Sequence, residues 1–334
     1  MKFIDLSASF SRVEGFLDTS EIENIFYSEQ WCKFLNNTNH SSVFAYGVES
    51  EKDELIAVLI GALESNFFWP IEKLTSRAII HGGPYVKNND LNILMFLLEN
   101  YNRTIKRKAI YSQFRNQRPF LSKEKAIFNQ NGFYYEPHLD ILHDLEVPVK
   151  IQFEKFHKGR RKNIRRAERA GVEFREVEDD NQFRISYGLV KSTYKRIKLP
   201  MPDKTFFTVG FEKLTKKNIL KTFVAISNEE IIGCRMVLCY GDVVYDWYAG
   251  ASSKHLDKYP NDFLPWKVME WGSLNGYKYF DFGGAGKPNV AYGVRDHKLK
   301  FGGNLIEYGR FEKIHNKLLM KIGEIGLKIY KFIK

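Results

Sequence analysis

Three apolar runs, at residues 221–226, 231–240 and 243–250, constrain this chain more than any other feature, because only short turns at 228–230 and Gly241-Asp242 separate them. Val, Ile, Phe and Tyr are frequent in them, and connections this short make consecutive strands antiparallel neighbours. A strand at 172–177 and helices at 180–196 and 205–216 precede them. Behind them, Asn261 or Asp262 caps a helix that runs to Leu274 and stops at Asn275-Gly276. A strand follows at 277–282, then a glycine-broken loop and a last strand at 304–311.

Strand, two helices, three antiparallel strands, helix, strand, loop or helix, strand: this order is the layout of a GNAT-type acyltransferase domain. The first half alternates strands and helices too. Runs at 41–48 and 55–63 flank a polar turn and read as a hairpin, and 77–80 is a short strand broken by His81-Gly82-Gly83-Pro84. Asn89 is expected to cap a helix to about Lys106, with 109–114 as a strand. Ser122 caps a helix that stops at Asn131-Gly132, and 133–145 returns as one strand. Asn-Gly-aromatic stops at 131–133 and 275–277 echo one another. The expected fold is α/β with mixed sheets (α+β), arranged as two tandem GNAT-like acyltransferase domains. The first spans 1–148 and the second 149–313, and 314–334 forms a basic amphipathic C-terminal helix.

A formal charge of +11 favours anionic partners. Eight of the basic residues crowd into the expected helix 153–170, against two acidic ones, with Ile164 and Ala167 as its narrow buried stripe. Arg160 and Arg161 lie in this run, which suits a pyrophosphate or an RNA backbone as well as a solvated face. The tail carries six lysines and one glutamate between 313 and 334, beside an apolar face of Leu318, Leu319, Ile322, Ile325 and Ile329. It is expected to pack on the protein or to dock on an anionic membrane surface. Cys32, Cys234 and Cys239 lack metal spacing, and reduced core cysteines in a reducing cytoplasm are expected. The opening MKFIDLSASF reaches Asp5 without an apolar leader, and no apolar run approaches a membrane span. A cytoplasmic protein is expected, at most peripheral at the inner face of the membrane.

The loop from Asp281 to Pro288 fails as a phosphate loop, because Asp281 holds the first glycine position and Pro288 the place of the magnesium-binding hydroxyl. The coenzyme A loop of GNAT enzymes is missing throughout, as are a nucleophile elbow, a metal cluster and a convincing Cys/His pair. Direct aminolysis of an activated ester needs none of these. It requires a positioned amine, a route for its proton, and cations or amide donors at the developing oxyanion. Lys298, read as lying on a loop between glycines, suits oxyanion stabilisation, and His297 could shuttle a proton. The bland reading of Lys298 is an exposed surface lysine. Asp281 and Lys300, in the same stretch, complete the candidates.

Several segments together are similar to the FemAB family (FemA, FemB and FemX), paired GNAT-like domains that add amino acids to peptidoglycan precursors. They are Gly82-Gly83-Pro84, residues 160–176, TYKR (193–196), YDWYAGAS (245–252), YFDFGG (279–284) and YGVRDHKLKFGG (292–303). The last resembles the family's Phe-Lys-x-x-Phe-Gly motif, with Lys298 in place of the lysine linked to transfer and His297 replacing the Phe. The resemblance implies that Arg196 contacts an acceptor phosphate or carboxylate, and that Tyr245 and Tyr248 line the acceptor channel. No cofactor is expected. The co-substrate is aminoacyl-tRNA or acyl-CoA, and the acceptor a UDP- or lipid-linked saccharide or muropeptide precursor; tRNA is a candidate partner and DNA is not. The long helical hairpin of FemA does not fit between 180 and 216, so FemX is the nearer type. The leading expectation is an aminoacyl- or N-acyltransferase acting on a peptidoglycan or surface-polysaccharide precursor. The alternatives are an acyl-CoA-dependent N-acetyltransferase of amino-sugar nucleotides and a catalytically inactive binding module.

Overall fold

The structure, a computed structural model, describes residues 1–65, 75–323 and 325. It divides into two units, Met1–His138 with Glu307–Lys334, and Leu139–Ile306. The boundaries therefore differ from those expected at 148 and 313. Pro137 lies between strands β7 (Tyr134–Glu136) and β8 (Leu139–Asp144), so the run expected as one strand serves two sheets. Without an N–H, proline cannot extend a ladder through its own position. The expected last strand divides in the same way, into β14 (Asn304–Glu307) and β15 (Arg310–Ile314). Gly309 sits between them at φ 70°, where a Cβ would lie 2.2 Å from the Tyr135 ring. Only glycine fits that bend.

The first unit holds β1 (Lys2–Asp5), β2 (Ser41–Glu49), β3 (Leu55–Glu64), β4 (Arg77–His81), β5 (Tyr85–Val86), β6 (Tyr111–Arg115), β7 and β15. Their order is β1-β2-β3-β4-β6-β15-β7, with β5 beside β3, and the β4/β6 pair is parallel. Helices α1 (Phe10–Thr19) and α2 (Glu29–Asn36) were not read from sequence; α3 (Leu91–Ile105) and α4 (Ser122–Gln130) were. The caps fall one residue earlier or later than expected. Asp90, not Asn89, accepts from Asn92 N at 2.7 Å, and Glu124 reaches back to Leu121 N at 2.8 Å. Phe311 of β15 enters the core against Phe114, Phe128 and Phe133, stacked on Phe128 at 3.9 Å. This aromatic packing fixes a strand that arrives from the far end of the sequence.

The second unit holds a sheet in the order β14-β8-β13-β12-β11-β10-β9. Its remaining strands are β9 (Glu173–Glu176), β10 (Leu220–Ser227), β11 (Glu230–Tyr240), β12 (Val243–Ala251) and β13 (Tyr279–Gly286). The hairpins β10/β11 and β11/β12 are antiparallel, as the tight turns dictate. The helices are α5 (Val149–Glu154), α6 (Lys158–Arg169), α7 (Asp180–Arg196), α8 (Lys204–Leu214), α9 (Pro260–Leu274) and α10 (Gly293–Leu299). The expected basic helix is thus two, parted where the His157 ring caps α6 by accepting from Gly159 N at 3.2 Å. Tyr259 and Pro260 open α9, which frees Asp262 from capping. The three cysteines are buried and unpaired.

The two units share one plan. In each, a helix joins two parallel strands (β4-α3-β6 and β12-α9-β13), and a shorter helix leads on to an edge strand (α4-β7 and α10-β14). The Asn-Gly stops end α4 and α9, which hold different places in that plan, so the echo marks a common helix stop and not a repeat. Each sheet also takes in a strand from outside that run of elements. β15 lies between β6 and β7, and β8 between β13 and β14. Of the C-terminal tail, residues 317–323 are helical, and the rest of the expected helix lies outside the described residues apart from position 325.

Two outcomes follow from the borrowed strands. Phe311→Ala should cost about 3–5 kcal/mol, the usual loss for a buried aromatic, read as a lowered urea midpoint. A fragment spanning 149–306 should aggregate or remain unfolded by circular dichroism, whereas one spanning 139–306, which retains β8, should give a cooperative thermal transition.

Candidate active site

The parallel strands β12 and β13 pair only at Val243↔Tyr279, Val244↔Phe280 and Tyr245↔Asp281. Past that point they part, β12 staying with β11 and β13 with β8. A bulge at Trp247 turns β12, since Met236 faces Tyr248 while Val237 faces Asp246. On β13 the register with β8 slips twice, from Asp281↔Leu142 to Gly284↔Asp140 to Gly286↔Leu139, with Gly283 at φ 67°. Phe280, Phe282 and Ala285 face the core, so strand alternation turns Asp281 to the other face, at the vertex of the fork.

Helix α10 closes the fork's glycine strand with two cations. Lys298 Nζ donates to the carbonyls of Phe282 (2.6 Å), Gly284 (3.0 Å) and Gly283 (3.3 Å). Arg295 donates to the carbonyls of Val290 (2.6 Å), Lys287 (2.7 Å) and Ala285 (3.3 Å). Lys298 therefore lies on a helix, not a loop, and it is half-buried. Burial lowers its pKa, while the carboxylates of Asp246, Asp140 and Asp281 act to raise it. Asp281 Oδ1 accepts from Gly283 N at 2.7 Å. Burial, and then Asp140, hold the Asp281 carboxyl well above the usual carboxylate range. Asp246 pairs with Arg235 of β11 at 2.5 Å, and its Oδ1 is buried without a hydrogen-bond partner.

His297 turns away from Lys298. Its Nδ1 lies 2.7 Å from Arg160 Nη2, and since a guanidinium only donates, the ring accepts there and is neutral. Burial and then Arg160 push the His297 pKa down to about 4. Arg160 also bonds Asp262, whose second oxygen accepts from Asn163 at 2.6 Å. The side chain of Arg160, expected to bind substrate, is 15% exposed and ties α6 to α9 and α10. Arg161 is half-buried beside it, whereas Lys158, Lys162, Arg165, Arg166 and Arg169 face outward. Lys300 is exposed, and its carbonyl accepts from His157 N at 2.9 Å.

Arg196 is exposed at the end of α7. From the same segment it is Tyr194 that reaches the fork's wall, with its ring 5.6 Å from Tyr248. Burial, then the Asp246 charge, raise the Tyr194 hydroxyl to about 12. Helix α7 lies this close because β12 offers Gly250, where a Cβ would stand 2.4 Å from the backbone of Leu189 and Val190. Tyr248 packs on Phe207 at 4.8 Å, and Tyr245 pairs in register with Asp281. The structure thus assembles Asp281, Lys298 and Tyr245 at one place and adds Asp246, Arg235 and Asp140, which were not singled out from sequence. The signal for Arg235 was legible, as a charge inside the apolar run 231–240.

The sequence profile of the acetyltransferase (GNAT) domain family matches residues 154–298, the part of the chain that builds this fork. The whole chain resembles the crystal structure of FemX, with a TM-score of 0.73 at 14% identity over 96% of this chain and 99% of that one. It also resembles the tandem GNAT protein from the clavulanic acid biosynthesis pathway, with a TM-score of 0.61 at 12% identity over 94% and 98%. A third likeness is to the C-terminal domain of a putative lysylphosphatidylglycerol synthetase from Agrobacterium fabrum, with a TM-score of 0.59 at 12% identity over 97% of each chain. No curated protein matches in sequence. Residues 154–298 thus match an acetyltransferase (GNAT) domain, and the chain as a whole has a tandem GNAT-like fold. More closely, it carries the paired GNAT-like fold of the FemAB type.

Buried neutral His297 has a consequence for pH. Its folded pKa, about 4, lies below the ordinary 6.5, so between these values the unfolded chain takes up a proton that the folded chain refuses. Stability is intact above pH 6.5 and falls as pH drops towards 4, by at most about 3 kcal/mol from this group. Urea midpoints at pH 7 and pH 5 should therefore converge in His297→Phe relative to the unsubstituted protein.

Proposed function

We propose that the chain transfers an activated aminoacyl or acyl group to an amine on a cell-envelope precursor, a UDP- or lipid-linked muropeptide or saccharide. The observation that carries this reading is the fork of β12 and β13, which gathers a carboxyl group (Asp281), a half-buried ammonium (Lys298) and the Asp246–Arg235 pair at its vertex. A positioned amine entering there meets a group that can take its proton and a cation beside the carbonyl under attack. With its three donors on backbone carbonyls, Lys298 would act chiefly by its charge and by holding the glycine strand in shape.

The FemAB resemblance supports the acceptor class. The lysylphosphatidylglycerol synthetase likeness is to a protein named for making an aminoacylated lipid, and it supports an envelope substrate in the same direction. The outward basic side chains of α6 support a donor that carries RNA, since five of them lie on one short helix and offer phosphate contacts. For the tail, exposed Leu318, Ile322 and Ile325 beside Lys317 and Lys321 support contact with an anionic membrane surface. Among the described residues no helix is long and apolar enough to cross a membrane.

Incubation with charged tRNA or acetyl-CoA and UDP-linked muropeptides, with transfer followed by mass spectrometry, tests the reading. Transfer from charged tRNA alone supports the aminoacyl form, and transfer from acetyl-CoA alone supports an N-acetyltransferase instead. No transfer from either donor refutes the enzyme reading. Lys298→Ala should lower turnover by roughly 10²–10³-fold, the scale of losing one electrostatic stabiliser, with acceptor affinity little changed. A fully active Lys298→Ala protein removes the proposed role.

A further inference from the structure

The strand that the second unit takes from upstream of residue 149 brings a second carboxyl to the fork. Asp140 lies on β8, in register with Gly284, while Asp281 of the neighbouring strand is in register with Leu142. Side chains two residues apart on adjacent strands are diagonal neighbours on one face, and the register slip at Gly283 lies between these two. Each carboxyl has one backbone anchor: Ile141 N donates to Asp140 Oδ1 at 2.9 Å, and Gly283 N to Asp281 Oδ1 at 2.7 Å. After burial, the neighbouring Asp140 carboxyl is what pushes the Asp281 pKa up. Two carboxyls that are diagonal neighbours in a buried place disfavour double ionisation, so one proton held between them is the favoured state.

We propose that Asp140 and Asp281 form one proton-sharing carboxyl pair, and that this pair takes the proton of the attacking amine and returns one to the leaving group. The inference rests on the acyl-transfer reading above and extends it to a residue that the GNAT domain match, which begins at residue 154, leaves out. Other groups near the pair set its charge balance. Lys298 of α10 and Arg235 of β11 are cationic, Asp246 of β12 is anionic, and Tyr194 of α7 and Tyr245 of β12 stand on neighbouring elements. With one proton shared, the two cations face two negative charges, and the cluster is balanced. Burial and the second carboxyl both favour the protonated state, the condition for an acid–base group that works near neutral pH.

The step balances. The amine lone pair forms the C–N bond at the donor carbonyl, whose π electrons move onto oxygen. The nitrogen proton passes to the anionic half of the pair. As the tetrahedral species collapses, the bond from carbon to the ester oxygen or thioester sulfur breaks, and the leaving atom takes the proton that the pair already held. The amide and the free hydroxyl or thiol are the products, and the pair is back in its singly protonated form.

The test has two arms, each on the full chain. In the first, kcat/KM is measured against pH for the unsubstituted protein, Asp140→Asn, Asp281→Asn and the double variant. The donor is whichever of charged tRNA and acetyl-CoA supports transfer, and the acceptor is a UDP-linked muropeptide. Each single variant should abolish the alkaline limb that marks loss of the shared proton, or move it down by a unit or more, because the remaining carboxyl no longer holds a proton against a like-charged neighbour. The double variant should lose roughly 10²–10⁴-fold in rate. An alkaline limb that stays in place in both single variants, or a fully active double variant, overturns the proposal. In the second arm, infrared difference spectra of the free protein at neutral pH should contain a protonated-carboxyl band that disappears in either single variant. Its absence overturns the pair, whatever the activity. If the unsubstituted protein transfers nothing, the functional reading fails, and the infrared band still decides whether the carboxyls share a proton. If Asp140→Asn does not fold, Asp281→Asn carries the same test from the other side.

Discussion

The ladder between β8 and β13 is the interaction on which the second unit depends. It gives β13 a neighbour on the side away from β12, so β13 stays within the sheet where it parts from β12. Its double register slip turns the carbonyls of residues 282–284 out of the ladder, and Lys298 satisfies all three. A buried carbonyl without a donor would cost about 1–3 kcal/mol, so the lysine has a structural role before any chemical one. The same ladder carries Asp140 to Asp281. Fork, glycine bulge, lysine and carboxyls are one construction.

A chain this basic divides its cations between two duties. Arg160, Arg235, Arg295 and Lys298 turn inward, each held by a carboxylate or a row of carbonyls. The outward set on α6 keeps its charge in water, where it is available to an anionic partner and sensitive to salt. Charge counted along the sequence cannot separate these duties, because burial decides them. Arg160 and Arg161 stand in one helix with the five further bases of α6 and differ from them only in the face of the helix they occupy.

Much of the fold was legible. The hairpins of β10, β11 and β12 follow from their turns, α7 was bounded to the residue, and the Asn275-Gly276 stop lies where expected. The paired GNAT-like layout followed from the order of elements. The exchanged strands were not legible, because a run such as 133–145 has the same pattern whether it serves one sheet or two, and Pro137 was its only mark. The candidate site was legible in part. Lys298, Asp281 and Tyr245 lie in one stretch of sequence, whereas Asp140 is more than a hundred residues upstream and joins them only through a long-range pairing. His297 and Lys298 were neighbours in sequence and candidates together, and the helix that holds them sends one to α6 and the other to β13.

The place of β15 between β6 and β7 has a consequence for how the chain is made. When a ribosome has finished β7 at Glu136, the first sheet still has a gap, and the strand that fills it begins at Arg310. At ordinary synthesis rates the missing strand emerges roughly 10–35 s later. For that interval Phe114, Phe128 and Phe133 lack the ring that stacks among them, and two strand edges stand open. The second unit, whose strands all lie within 139–307, can close first. The order of completion is therefore the reverse of the order of synthesis, and the half of the protein made first is the half that most needs protection from its neighbours on the polysome.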